Sequence, residues 1–203
     1  MLLPKILSLL GLSALLTAVG SVPVAVDNGN ADPMGYSGPA GTLHTSDTGI
    51  QYLLLNDDFP ADHPALNMTY VASEIAAGRP APKLPGVPAP TFVAPQPPGV
   101  LHCETTEGSP HWMDVWKVSQ TLWHFAKYNP GWCCNNPPGP CKQLVVEQTA
   151  ASDICAWTPK KMCIDCVYAA DAVFKIATQC TLASKAGGFV RYGGLADINA
   201  YHS

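Results

Sequence analysis

The stretch 109-SPHWMDVWKVSQTLWHFAKYNPGWCCNNPPGPC-141 decides the fold: it reads as a helix followed by a loop pinned by cysteines. Ser109 can accept from the free N–H groups of a first helical turn, and Pro110 suits the first position because its missing donor is not needed there. Trp112, Val115, Trp116, Ser119, Leu122, Trp123 and Ala126 then fall at spacings of three and four, which makes one continuous stripe. Asn129-Pro130-Gly131 stops it. On this reading Trp116 and Trp123 are core, because each indole removes a large area from water and a small domain needs that. Trp112, at the end of the stripe, lies between core and surface. Trp132, beside the rigid loop that ends at Cys141, is the aromatic expected to be exposed, so Trp112 and Trp132 form the candidate ligand surface. Adjacent cysteines bond each other only with strain, so Cys133 and Cys134 are expected to tie to two different parts of the fold.

All eight cysteines (Cys103, Cys133, Cys134, Cys141, Cys155, Cys163, Cys166, Cys180) and all five tryptophans fall in residues 101–203. Strands are expected at 101–104, 142–148, 150–157, 189–192 and 195–201. Thr158 with Pro159 repeats the cap-plus-proline start. A second helix is expected after it, with Cys163, Cys166, Val167, Ala170, Phe174, Ala177 and Cys180 on one face, ended by Gly187-Gly188. The expected fold class is α+β: a small disulfide-stapled domain with two main helices packed on a short antiparallel sheet.

Before it, residues 1–20 have the shape of a signal peptide, with Lys5 ahead of the apolar run ILSLLGLSALLTAV, too short to span a bilayer comfortably. Residues 21–77 are a variable acidic region. Within it 27–47 reads as mobile, 50–55 as a strand, and 66–77 as a helix started near Asp62 and Pro64. Residues 78–100 hold eight prolines, which fix φ and remove donors, so they read as a semi-rigid linker to the cysteine-rich domain at 101–203. Asn67-Met68-Thr69 is the one glycosylation sequon. Residues 21–100 carry a net charge of minus five and 101–203 carry none. That balance offers no broad attraction to nucleic acid or anionic lipid, so neither partner is expected, nor a membrane span once the signal is removed.

Cys163-Ile164-Asp165-Cys166 has the spacing of a thiol–disulfide redox motif, but it lacks the preceding strand and exposed helix start that lower the first thiol's pKa. Zinc would need adjacent ligands from Cys133 and Cys134 in a tetrahedral set, a poor fit. The cysteines therefore read as structural, and no cofactor or metal is expected. His102, Glu104, Glu107, His111, Asp114, His124 and Arg191 are of the types that serve in acid–base chemistry. Of these, His102, Glu104, His111, His124 and Arg191 are the weak catalytic candidates of a hydrolase or ribonuclease-like toxin.

The layout as a whole resembles the small secreted cysteine-rich, effector-like proteins of filamentous fungi. A signal peptide leads to a Pro/Gly-rich stretch, then Cys103-Glu104-Thr105-Thr106-Glu107-Gly108-Ser109-Pro110 before a helix. An eight-cysteine C-terminal domain comes next, and the chain closes with a helix to Cys180 and Gly187-Gly188-Phe189-Val190. The resemblance implies an extracellular, non-enzymatic host-interaction or virulence factor with a protein or glycan partner outside the cell, and it carries no catalytic residue across. Hydrophobins also have eight cysteines, but only Cys133-Cys134 is adjacent here, where that family has two such pairs. The expected function is therefore a secreted interaction protein. The alternatives are a secreted hydrolase or ribonuclease, and a cell-wall glycan-binding module.

Overall fold

A computed structural model describes residues 37–90, 99–128, 131–135 and 141–203. The signal peptide expected at 1–20, the stop at Asn129-Pro130 and the proline loop 136–140 lie outside the described residues. In chain order the elements are β1 (Gly41–Thr45), β2 (Gln51–Leu55), a single 3-10 turn (Pro64–Leu66), α1 (Met68–Ala76), β3 (Val100–Cys103) and α2 (Trp112–Tyr128). After these come β4 (Trp132–Asn135), β5 (Cys141–Glu147), β6 (Ala150–Ala156), β7 (Met162–Asp165), α3 (Cys166–Gln179), β8 (Thr181–Leu182), β9 (Lys185–Ala186), β10 (Gly188–Tyr192) and β11 (Ala196–His202).

The larger sheet is antiparallel, in the order β3-β10-β11-β6-β5, and α2 and α3 pack together across one of its faces. Side-chain alternation explains the layering. Val190, Tyr192, Ile198 and Ile154 point into a core shared with Val115, Val118, Leu122 and Phe125 of α2 and Ala169, Val173 and Ile176 of α3. Tyr192 also donates its hydroxyl to the Tyr168 carbonyl (2.9 Å), which ties β10 to α3. The chain is thus a disulfide-stapled α+β domain with helices on sheets. Its described residues form three α-helices, the two main ones expected for the domain and α1 where a helix was expected at 66–77, and a second sheet.

That second sheet, β1-β2-β7-β4, joins the strand expected at 50–55 to segments expected to be mobile, looped or helical. β7 lies inside it, between β2 and β4, and is buried on both faces. Ile164 and Met162 join the main core, while Cys163 joins a satellite cluster of Leu53, Leu55, Phe59, Leu66, Leu84 and Trp132. The folded unit therefore crosses the boundary expected at residue 101: β2 pairs with β7 in the register Tyr52↔Ile164, and Ala81 and Leu84 of the proline-rich stretch are buried. The Pro88 carbonyl accepts the indole N–H of Trp132 at 3.0 Å.

All eight cysteines are paired, as Cys103–Cys180, Cys133–Cys166, Cys134–Cys163 and Cys141–Cys155. The adjacent pair behaves as strand geometry requires. On β4, Cys133 faces the main core and Cys134 the satellite cluster, so they bond through opposite faces of one sheet. Their partners are not in distant parts of the fold but three residues apart, at the junction of β7 and α3.

Three expectations about packing and element boundaries need correction. The buried stripe of α2 is Val115, Val118, Ser119, Leu122 and Phe125, rotated from the one expected. Trp116 and Trp123 are 39% and 38% exposed. The reason lies in the partner: α3 buries Ala169, Ala170, Ala172 and Ala177, small side chains that admit a close helix and leave no room for indoles between. Trp132, expected at the surface, is 2% exposed because it fills the satellite cluster. The second helix does not start at Thr158-Pro159. Met162–Asp165 is recruited as a strand between β2 and β4, and Asp165 caps α3 by accepting from Val167 N–H (2.9 Å).

Candidate functional site

Alternation that sends half of each strand into the core sends the other half to the sheet's opposite face. His102, Phe189, Asn199 and Asp153 form one row there across β3, β10, β11 and β6, each directly opposite the next. Arg191, Asp197, Cys155 and Cys141 form a second row. Neither α2 nor α3 covers this face, and Phe189, Arg191, Asn199 and Asp153 are all part-exposed.

The side chains on this face hold one another in place. His102 stacks on Phe189 with centroids 4.5 Å apart and planes 13° from parallel. The Arg191 guanidinium lies 5.1 Å from the Phe189 ring centre and 4.9 Å from that of Trp157, which is 58% exposed just beyond β6. Such cation–aromatic contacts contribute about 0.5–1 kcal/mol each at exposed sites. Arg191 also forms a two-pronged pair with Asp197, Nε to Oδ1 at 3.0 Å and Nη2 to Oδ2 at 2.9 Å. That pairing raises the guanidinium pKa above its ordinary value. Asn199 donates to Asp153 at 2.5 Å. Burial pushes the Asp153 carboxyl up, and this hydrogen bond offsets part of the effect.

Beside these rows lies an open groove of about 300 Å³ lined by Glu104, Thr106, Gly187, Asn199, Tyr201 and His202. Its outer wall is the segment just after Cys103. Thr105 fixes this wall, with its hydroxyl donating to the Cys180 carbonyl and accepting from Gly187 N–H (3.1 Å). Ser109 closes the turn by accepting from Thr106 N–H at 2.9 Å, and the Cys103–Cys180 bond anchors its start. Gly188 has φ +146°, and a Cβ there would collide with the His102 carbonyl oxygen, so β3 and β10 meet only because that position is glycine.

The acid–base candidates are mostly dispersed. His102 and Arg191 lie on the open sheet face, both against the Phe189 ring, and Glu104 lines the groove. His111 sits at the start of α2, where Nδ1 accepts from Met113 N–H at 3.3 Å, the capping role expected of Ser109. His124 lies exposed on the outer side of α2. Glu107 is exposed in the turn before Ser109. Asp114 does not pair with His111. It accepts from Thr149 (2.8 Å) and Lys117 (3.2 Å). Burial pushes the Asp114 carboxyl up, but these two partners outweigh it and hold the group below its ordinary value.

Cys163 and Cys166 are not bonded to each other, so the redox-motif reading has no dithiol to act on. Among the described residues the one group of metal-ligand type is Cys141, Asp153 and Cys155, whose donor atoms lie within 4.8 Å of one another. Both its sulfurs are spent in a disulfide. Trp112 is half-buried and Trp132 is buried, so the expected pair of exposed indoles does not form. Asn67 is exposed and caps α1, accepting from Tyr70 N–H at 3.1 Å. Sequence reasoning misses Trp157, Phe189, Asn199 and Tyr201 as site residues. Their signal is a period of two along 153–157, 189–191 and 197–201, but only strand pairing shows that these runs share one face.

No protein-family model matches the chain, and neither the curated proteins nor the solved structures yield a match.

Proposed function

We propose that this is a secreted, effector-like interaction protein that works by binding a partner outside the cell and catalyses no reaction. One observation carries the reading. On the open face of the five-stranded sheet Arg191 is already paired with Asp197, and the Asp153 carboxylate already accepts from Asn199. Catalysis needs the reverse, a base or nucleophile held ready beside a reacting atom. His102, Glu104, His111 and Arg191 do not hydrogen-bond to one another. Exposed Trp157 and part-exposed Arg191 are of the residue types that dominate binding energy at interfaces. The leader at 1–20, the sequon at Asn67 and four disulfides suit an oxidising, extracellular setting. Asn67 is proposed to carry a glycan.

Purified protein should show no turnover of RNA, peptide, ester or glycoside substrates, and should retain a discrete partner from host or cell-wall extracts. Turnover that is abolished by His102→Ala or Arg191→Ala would overturn the reading.

A further inference from the structure

We propose that the open sheet face binds a neutral oligosaccharide laid along β11, with one sugar ring against Tyr201 in the groove and another against Trp157. This rests on the interaction reading above and names the partner class.

The face is long in one direction. Trp157 donates its backbone N–H to Leu195 just before β11 begins, and Tyr201 lies six residues further along. At about 3.3 Å per residue the two backbone positions lie roughly 20 Å apart along the strand. That is the reach of an oligosaccharide and not of a single sugar. Between them lie Asp197 with Arg191, and Asn199 with Asp153. These are planar amide, guanidinium and carboxylate groups suited to pairs of hydroxyls. The groove at the Tyr201 end, about 300 Å³, adds Glu104, Thr106 and His202 as further polar partners.

The same features argue against other occupants. A peptide that adds a strand needs a free edge, but β11 is hydrogen-bonded on both sides, by β10 and β6, so only side chains are on offer. Nucleic acid and other polyanions meet Glu104 and Asp153, with Arg191 already neutralised by Asp197. An apolar ligand would strip water from these polar groups without replacing their hydrogen bonds. A polyhydroxylated, uncharged chain satisfies them and can stack its apolar ring faces on the two aromatics.

The wall that shapes the groove is held before any ligand arrives, by Thr105, Ser109 and the Cys103–Cys180 bond, so little ordering cost remains at binding.

The test is calorimetric titration of the intact, oxidised protein with neutral hexasaccharides of glucose, mannose, xylose and N-acetylglucosamine. Binding of one of these classes is expected. Tyr201→Ala and Trp157→Ala should each weaken it by about tenfold or more, while Trp123→Ala on the helical side leaves it unchanged. Unfolding midpoints of the variants identify any loss due to misfolding, and Tyr201→Phe, which keeps the ring, should keep most of the affinity. No binding to any of the four, or binding indifferent to both substitutions, overturns the proposal. If a partner captured from extracts is retained equally by Tyr201→Ala and Trp157→Ala, this site fails while the broader interaction reading stands.

Discussion

Asp165 is the residue whose setting makes the clearest demand on solution behaviour. It ends β7, caps α3 and is 5% exposed. Burial raises its carboxyl from 3.8 to about 6, against the opposing hydrogen bond from Val167 N–H. A raised carboxyl pKa means that the folded state holds the proton more tightly than the unfolded chain does. Stability is therefore gained as pH falls from about 6 towards 4, by up to about 3 kcal/mol, and is absent at neutral pH. Asp165→Asn keeps an oxygen to cap α3 and removes the charge. Thermal unfolding between about pH 4 and pH 7 should show a variant more stable than the parent at neutral pH and flatter through that window. Tyr192→Phe tests a second buried contact. It removes the donor to the Tyr168 carbonyl and should cost about 0.5–1.5 kcal/mol by chemical denaturation, the net worth of one hydrogen bond, since that carbonyl lies within the ladder of α3 and keeps its place there.

At the scale of elements, the two sides of α2 should respond differently to substitution. Leu122→Ala opens a cavity between helix and sheet and is expected to cost about 2–5 kcal/mol. Trp116→Gln and Trp123→Gln, on the outer side, should each cost about 0.5 kcal/mol or less by the same measurement. The existence of α2, the final hairpin and β5–β6 was legible in the sequence because each has a strong period of its own. Which side of α2 faces inward was not, since Trp116 and Trp123 fit the stripe of spacing three and four as well as Val118 and Phe125 do. The small alanines of α3 decide between them, and they are about fifty residues away. Met162–Asp165 looks helical in sequence because its apolar spacing runs on into that of α3. Only the neighbours β2 and β4 make it a strand. The open sheet face was invisible for the same reason, since its rows join residues from four strands.

At the scale of the whole molecule, the four disulfides differ in how much chain they constrain. Cys103–Cys180 closes a separation of 77 residues and Cys141–Cys155 one of 14. Loop-closure entropy alone makes loss of the first costlier by about 1.5 kcal/mol, measurable by comparing the paired Cys→Ala variants in denaturant. Cys133–Cys166 and Cys134–Cys163 are buried, whereas Cys103 and Cys141 are exposed. Mild reductant, then alkylation and peptide mapping, should therefore label the exposed pairs first. Native mass should be eight hydrogens below that of the fully reduced chain, two for each bond. That the cysteines serve structure was legible from their number and from the poor fit of their spacing to a redox or zinc site. Their connectivity was not, because the sequence leaves the sheet face of each cysteine open.

The docking of β2 against β7 has a consequence for proteolytic processing. Every disulfide lies after residue 101, so the segment that carries β1, β2 and α1 is joined to the rest by one stretch of backbone and otherwise by non-covalent contacts: strand pairing, the packed cores and hydrogen bonds such as Trp132 to Pro88. A protease that cut between residues 90 and 99 would leave both fragments in one particle on a sizing column, and two bands on a denaturing gel even without reductant.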